Sequence, residues 1–119
     1  MARLLVLLSH STDDPRRAAV GLEAAAAAAD ADHEVGLWLS DEGVRLAVKG
    51  VVDALLEEGP RPASDSLAAL QAKGATLHVS RPCFASRGFA PEQLVEGAES
   101  AEPGSLAGLV AAGWIPVAL

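Results

Sequence analysis

The sequence has little of what disulfides, metal sites and bulky cores require. Tyrosine is absent, and the 119 residues include two tryptophans, two phenylalanines and a single cysteine. One cysteine excludes an intramolecular disulfide, and it excludes a zinc or thioredoxin site built from paired cysteines of one chain. Half of the residues are apolar but many of these are alanine, so we expect a thin fold whose alanine-rich helices lie close to a sheet.

Positive charge is also scarce. Nine lysines and arginines stand against sixteen aspartates and glutamates, and the net charge is −7 with histidine neutral. This balance argues against nucleic acid and against an anionic membrane surface as partners. The N-terminal apolar run is too short for a signal peptide, and no run reaches the roughly 18 apolar residues of a membrane helix. We therefore expect a cytoplasmic protein with one domain over residues 1–119.

Apolar runs and helix signals alternate along the chain. Leu4–Leu8, Glu34–Leu39 and Ala75–Val79 are short runs typical of strands covered on both faces. Trp114–Val117 predicts a last strand, and Pro116 places it at a sheet edge because proline has no amide hydrogen to donate. The alternation predicts an α/β fold, a three-layer α/β/α sandwich around a mainly parallel sheet of about five strands.

The helix signals are caps and stops. Asp14 caps the first helix, Pro15 fits its first turn, and the helix is expected to end near Asp30. A second helix is expected from a cap at Ser40 or Asp41 to Gly50. The other predicted segments are a loop or helical turn at 51–57, a break at 59–62, a helix capped by Ser64 or Asp65 and closed by Lys73–Gly74, a helical turn at 91–96 and a helix at 105–112.

Parallel sheets carry their functional sites at the carboxyl ends of the strands. Residues 9–14, 40–43 and 80–88 follow the first three predicted strands, so we expect these three loops to share one rim. His10 lies in the first loop and is a candidate for proton transfer. The histidines have no carboxylate or thiol partners at metal-ligand spacing, so neither a metal nor a cofactor is predicted.

Two other groups on this rim have competing interpretations. Ser9, Ser11 and Thr12 resemble an anion-binding loop in outline. The loop has no glycine and its aspartates repel phosphate, so helix capping explains these residues better. Asp41 and Glu42 are candidate metal ligands, and an acidic first helical turn explains them as well.

Cys83 follows the third predicted strand and lies at the start of a predicted helix, with Ser80 as its N-cap and Pro82 in the first turn. Free amides at the helix start, together with Arg81 and Arg87, favour the thiolate, which is the reactive form of cysteine. A lone cysteine is also commonly a small buried apolar residue. The residues alone leave both interpretations open.

Four stretches match a known family in order and spacing. They are Asp14–Ala18, Leu39–Gly50, the Cys-x-x-x-Arg-Gly segment at Cys83–Phe89, and Gly113–Ile115. In this combination the chain resembles the DsrE/DsrF-like family of sulfur-relay proteins. The resemblance implies an α/β/α sandwich, assembly into homotrimers or homohexamers, and donor and acceptor proteins for sulfur. It also implies that Cys83 accepts sulfur as a persulfide and passes it on.

The preferred interpretation is a persulfide carrier that works through Cys83, with Arg81 or Arg87 stabilising the anion and His10 assisting proton transfer. A single cysteine suits a carrier, because no second thiol can discharge the persulfide as an internal disulfide. The first alternative is a flavodoxin-like module that binds a nucleotide or another small ligand. The second is a non-catalytic oligomer subunit in which Cys83 only packs. Whether the chain is an enzyme stays open.

Overall fold

Five parallel strands form the central sheet, in the order β4-β3-β2-β1-β5. The computed structural model describes residues 1–55 and 61–119. The strands are β1 (Arg3–Leu8), β2 (Glu34–Leu39), β3 (Thr76–Ser80), β4 (Ala98–Ala101) and β5 (Ile115–Ala118). Every neighbouring pair is parallel, which confirms the predicted α/β fold. Pro116 lies in an edge strand, as expected.

The sequence pattern does not predict β4. Its four residues are two alanines, a glutamate and a serine, none of which is β-branched or aromatic. The strand forms through its backbone, because Ala98 lies beside Leu77 and Ser100 lies beside Val79 of β3. The residues that follow β4 therefore join the same rim as the three predicted loops.

Within the described residues, four α-helices flank the sheet. They are α1 (Pro15–Asp30), α2 (Ala63–Ala72), α3 (Arg81–Ser86) and α4 (Gly104–Ala111). The predicted bounds of β3, β5 and α4 are each displaced by one residue from those in the structure. The predicted turn at 51–57 and the break at 59–62 lie partly outside the described residues, and their described part holds a 3-10 turn at Val52–Ala54. A second 3-10 turn, Pro91–Gln93, lies within the predicted turn at 91–96.

Local chemistry determines where α1 begins. The Asp14 carboxylate accepts a hydrogen bond from the Arg17 amide at 3.2 Å, and Pro15 is the first helical residue, as predicted. The prediction for α2 is wrong at its start. That helix begins at Ala63, so Ser64 and Asp65 are helical residues and do not cap it.

The main core lies between the sheet and the pair α1 and α2. Alternate side chains of β1, β2 and β3 point into it, and α1 covers them with alanines such as Ala25 and Ala26, which are fully buried. The other face of the sheet has a smaller core around Leu5 and Trp38, against which Leu109 of α4 packs. No residue of α4 is buried. The three predicted layers are present, and the α4 layer is the thinner one.

The segment after β2 differs from the predicted helix. Asp41–Ala47 is a 3-10 helix, and Asp41 has a positive φ of 51°, which regular helices do not contain. Gly43 lies against the end of β1, where a Cβ atom would come within 2.2 Å of the Leu8 carbonyl oxygen. This close approach of Gly43 to the end of β1 holds the 3-10 helix on the rim. Among residues 1–55 and 61–119, no helix combines the length and the hydropathy needed to cross a bilayer.

Candidate functional site

Cys83 is the third residue of α3, and α3 begins directly where β3 ends. Ser80 occupies the N-cap position as predicted, but its hydroxyl makes no capping hydrogen bond. Cys83 is half-buried and packs partly against the main core, while the next residue, Phe84, is buried. Phe84 therefore anchors α3 to the core, and the cysteine beside it remains partly accessible.

Arg81 forms a bidentate ion pair with Glu102, in the segment that follows β4. Its Nε donates to Glu102 Oε1 in a short contact, and its Nη2 donates to Glu102 Oε2 at 3.1 Å. These hydrogen bonds raise the pKa of Arg81 and lower the pKa of Glu102. More than half of each side chain is exposed, so solvent screens the pair.

Arg87, at the other end of α3, makes a more extensive set of contacts. Its Nε donates to Glu42 Oε2 at 2.6 Å, and its Nη2 donates to Asp41 Oδ1 at 2.6 Å. Its Nη1 donates to the Cys83 carbonyl oxygen at 3.0 Å. The hydrogen bond from Arg87, followed by one from Arg45, lowers the pKa of Glu42, and the bond to Glu42 raises the pKa of Arg87.

The two arginines therefore bind α3 to both neighbouring strand ends. Arg81 reaches the segment after β4, Arg87 reaches the 3-10 helix after β2, and β3 lies between these strands. Each guanidinium has carboxylate partners, so neither stands as a free positive charge beside the thiol. Stabilisation of the thiolate by Arg81 or Arg87 stays a prediction.

His10 lies on the same rim but does not contact Cys83. Its Nδ1 shares a hydrogen bond with Asp13 Oδ2 at 2.8 Å, and its Nε2 lies 3.4 Å from Arg17 Nη1. β2 separates β1 from β3, and two strand spacings amount to about 10 Å. A role for His10 in proton transfer to Cys83 stays a prediction, and the transfer would have to pass through solvent or a partner.

The aspartates of the loop at residues 9–14 accept hydrogen bonds from one amide of the loop and from one amide at the start of α1. The Ser11 amide donates to Asp13 Oδ1 at 2.7 Å, which lowers the pKa of Asp13, and the Arg17 amide donates to Asp14. These amides are therefore not free to bind a phosphate group. The Ser11 hydroxyl is buried and has no hydrogen-bond partner among the described residues.

Of the other two histidines, His33 directly precedes β2 and His78 lies within β3. His33 Nδ1 accepts a hydrogen bond from the Ala2 amide at 3.0 Å. His78 stacks on Trp38 with ring centroids 6.1 Å apart, and its burial lowers its pKa. Among the described residues, no group of three or more histidines, cysteines and acidic residues could hold a metal ion.

Three surface cavities of about 330, 380 and 420 Å³ lie on the described part of the chain, and Cys83 lines none of the three. The largest of the three cavities lies between α4 and the strands β3 and β4, and its lining includes His78, Glu99 and Glu102. Cys83 thus lies on a short surface helix outside these three cavities.

The carboxylate partners of the two flanking arginines are not part of the sequence prediction. Glu102 was missed as a partner of Arg81 because β4 was missed, although the acid-Pro-Gly sequence at Glu102–Gly104 marks a turn that could have located it. Asp41 and Glu42 form the acidic first turn of the 3-10 helix, as one of the two interpretations predicts. Their carboxylates also bind arginine side chains.

Comparisons with known proteins agree with this fold. The model of the DsrE/DsrF-like family matches residues 2–115. The ychN protein from E. coli is 16% identical in sequence, with a TM-score of 0.82, and MTH1491 from Methanobacterium thermoautotrophicum, a protein of unknown function, is 14% identical with a TM-score of 0.70. Both alignments cover 100% of each chain. No curated protein matches the sequence. The chain belongs to the DsrE/DsrF-like family.

Proposed function

We propose that this protein is a sulfur-relay protein that carries sulfur as a persulfide on Cys83. The observation that carries the proposal is the position of Cys83: half-buried and partly accessible, on a surface helix at the carboxyl ends of parallel strands, which arginines bind to both neighbouring strand ends. Functional groups of parallel α/β folds gather at this edge. Membership of the DsrE/DsrF-like family points to a role of the sulfur-relay type.

The proposed chemistry is a pair of sulfur exchanges. The Cys83 thiolate attacks the outer sulfur of a donor persulfide, so a new S–S bond forms on Cys83 and the S–S bond of the donor breaks. The donor leaves as a thiolate, and Cys83 holds the outer sulfur as a persulfide. An acceptor thiolate then attacks that outer sulfur, and Cys83 returns to its thiolate form. No external oxidant or reductant is needed, because each step breaks one S–S bond and forms another.

Two properties of the chain suit a carrier. A single cysteine has no partner in its own chain that could convert the persulfide into a disulfide and release the sulfur. Cys83 also lies outside the three surface cavities, so a donor or acceptor protein can approach it directly. The donor and the acceptor are therefore proposed to be proteins.

The test of this proposal is intact-mass spectrometry after incubation with a small persulfide donor, followed by peptide mapping. The wild-type chain should gain one sulfur atom on Cys83, and Cys83→Ser should gain none. If the wild type stays unmodified while iodoacetamide still alkylates Cys83, the thiol is accessible but does not carry sulfur. The proposal would then be wrong, and so would it be if Cys83→Ser gained as much sulfur as the wild type.

We also propose that the protein assembles with itself, through a surface that we call the C-terminal face, residues 104–119. This segment has no charged side chain, and none of its residues is buried. It holds Val110, Ile115 and Leu119, which are 43%, 51% and 39% exposed. An uncharged surface suits contact between identical chains of net charge −7, because it brings no like charges together. A homotrimer or homohexamer is the proposed assembly.

Sedimentation and light scattering test this assembly with a matched pair of variants. Val110→Asp places a charge on the C-terminal face and should give monomers, because an unpaired charge does not fit a buried contact. Val20→Asp is the control, since Val20 is 55% exposed on α1, on the opposite face of the sheet. A monomeric wild type would contradict the proposal, as would an unchanged oligomer in both Val110→Asp and Val110→Lys.

A further inference from the structure

We infer that Arg87 is a positioning residue, which holds the helix of Cys83 in place while Asp41 and Glu42 cancel its charge. This inference rests on the proposed function, because the position of Cys83 matters for function if Cys83 carries sulfur. It differs from the expectation that Arg87 stabilises the thiolate by its charge, because in the structure that charge is directed at two carboxylates.

The end of α3 shows why Arg87 matters for the position of Cys83. In a regular helix the Cys83 carbonyl would accept from the amide four residues later, which is that of Arg87. Here the Arg87 amide bonds to the Phe84 carbonyl instead, at 3.2 Å. The Cys83 carbonyl accepts from the Ser86 hydroxyl at 3.0 Å and from Arg87 Nη1 at 3.0 Å. The Arg87 side chain thus takes over a bond that the backbone does not make.

The carboxylates that bind Arg87 belong to a segment whose position is fixed. Asp41 and Glu42 belong to the 3-10 helix that Gly43 holds against the end of β1. Glu42 also accepts from Arg45 Nε at 2.9 Å. Arg87 therefore joins the helix of Cys83 to a segment whose own position is set by backbone packing.

Lysine cannot replace arginine in this contact. Arg87 directs three different nitrogens at three acceptors, in Glu42, Asp41 and the Cys83 backbone, and its side chain is only 19% exposed. A lysine carries one nitrogen on a flexible stem, so it keeps the charge but loses the planar fork. Arg87→Lys therefore separates the two explanations: it preserves electrostatic stabilisation and removes positioning.

The charges around α3 balance. The guanidinium groups of Arg45, Arg81 and Arg87 are matched by the carboxylates of Asp41, Glu42 and Glu102. Removal of one carboxylate leaves one positive charge uncancelled, and positive charge favours the thiolate.

The test is the rate of alkylation of Cys83 by iodoacetamide, followed by intact mass from about pH 6 to about pH 10, a range that brackets a free thiol. The reagent is neutral and the chain has one cysteine, so each profile reports one site. The limiting rate at high pH reports the position of the thiol, and the pH of half-maximal rate reports its charge environment. The variants are Arg87→Lys, Arg87→Met and Glu42→Gln, each checked for folding by circular dichroism.

Arg87→Lys and Arg87→Met should both raise the limiting rate about threefold or more, because α3 loosens and exposes the thiol. Arg87→Lys should keep the half-maximal pH of the wild type. Glu42→Gln should lower the half-maximal pH by about half a unit, because one positive charge near the thiol is then no longer cancelled. Arg61→Met is the control, since Arg61 pairs with Asp30 of α1 and should change neither value.

A limiting rate in Arg87→Lys equal to that of the wild type would overturn positioning, even if Arg87→Met failed to fold. A half-maximal pH that stays unchanged or rises in Glu42→Gln would overturn the cancelled charge. Neither outcome depends on sulfur, because iodoacetamide modifies an accessible thiol whether or not that thiol is a carrier. Failure of sulfur loading in the wild type would count against the proposed function alone.

Discussion

The contact between Gly43 and the end of β1 gives a sharp prediction about stability. In Gly43→Ala the new methyl group would lie 2.2 Å from the Leu8 carbonyl oxygen and 2.8 Å from its carbon. Both are backbone atoms of a central strand, so they cannot rotate away as a side chain could. Either the 3-10 helix or the end of β1 must move, and both carry the rim on which Cys83 lies.

The size of the effect follows from the kind of contact. Overpacking that forces backbone shifts destabilises by about 1–3 kcal/mol, and Gly43→Ala is expected near the upper end, at about 3 kcal/mol. Gly21→Ala should cost less, because its methyl group would meet only the side chain of Leu8, nearest at Cδ2 at 2.4 Å, and a side chain can shift. Gly36→Ala should stabilise by about 0.4–1 kcal/mol, because its nearest contacts are ordinary ones at 3.5 Å.

Urea denaturation of the three variants measures this series. The free energy of unfolding falls by about 1–3 kcal/mol per molar urea. The urea midpoint of Gly43→Ala should therefore fall by about 1–3 M, and that of Gly36→Ala should rise by a few tenths of a molar unit. The order Gly43, Gly21, Gly36, from most to least destabilised, is the expected result. A Gly43→Ala variant as stable as Gly36→Ala would refute the close packing of the 3-10 helix on β1.

Three further predictions concern charge. The hydrogen bond from Arg87 holds the pKa of Glu42 below its usual 4.5, so its stabilising effect is complete above that pH and is lost as the pH falls through the lowered value. The gap between the urea midpoints of wild type and Glu42→Gln should therefore be full at about pH 6 and should shrink as the pH falls below the usual pKa of 4.5; a constant gap would contradict this. Arg81→Ala should leave the midpoint at neutral pH unchanged, because its ion pair is exposed. Burial lowers the pKa of His78 more than the nearby Glu99 carboxylate raises it, so its NMR signals should titrate below pH 6.5, and a midpoint above that value would show that the Glu99 charge outweighs burial.

Much of the fold could be predicted because its signals are local. Asp14 and Pro15 mark the start of α1 through their own side chains, and the apolar runs of β1, β2 and β3 reflect strands covered on both faces. β4 could not be predicted, because an edge strand of alanine, glutamate and serine differs little from a loop. The 3-10 form of Asp41–Ala47 depends on packing against β1, which no local pattern reports.

The candidate site also has a part that the sequence predicts and a part that it does not. The position of Cys83 on the rim follows from the rule that parallel strands end together, and the structure places it there. The partners of the flanking arginines do not follow from that rule. Arg87 lies 45 residues from Glu42, and Arg81 lies 21 residues from Glu102. The order of the strands in the sheet brings each pair together: Arg87 meets Glu42 because β3 lies beside β2, and Arg81 meets Glu102 because β3 lies beside β4.

The central claim is that Cys83 carries a transferable sulfur atom, and cyanide tests it most directly. Cyanide attacks the outer sulfur of a persulfide, leaves as thiocyanate and restores the thiolate, so each sulfur carried yields one thiocyanate. The protein is loaded with a persulfide donor, freed of the donor and treated with cyanide. One thiocyanate per chain from the wild type, with return to the unloaded mass, and none from Cys83→Ser is the expected result. No thiocyanate from the wild type, or an equal amount from Cys83→Ser, would contradict the claim.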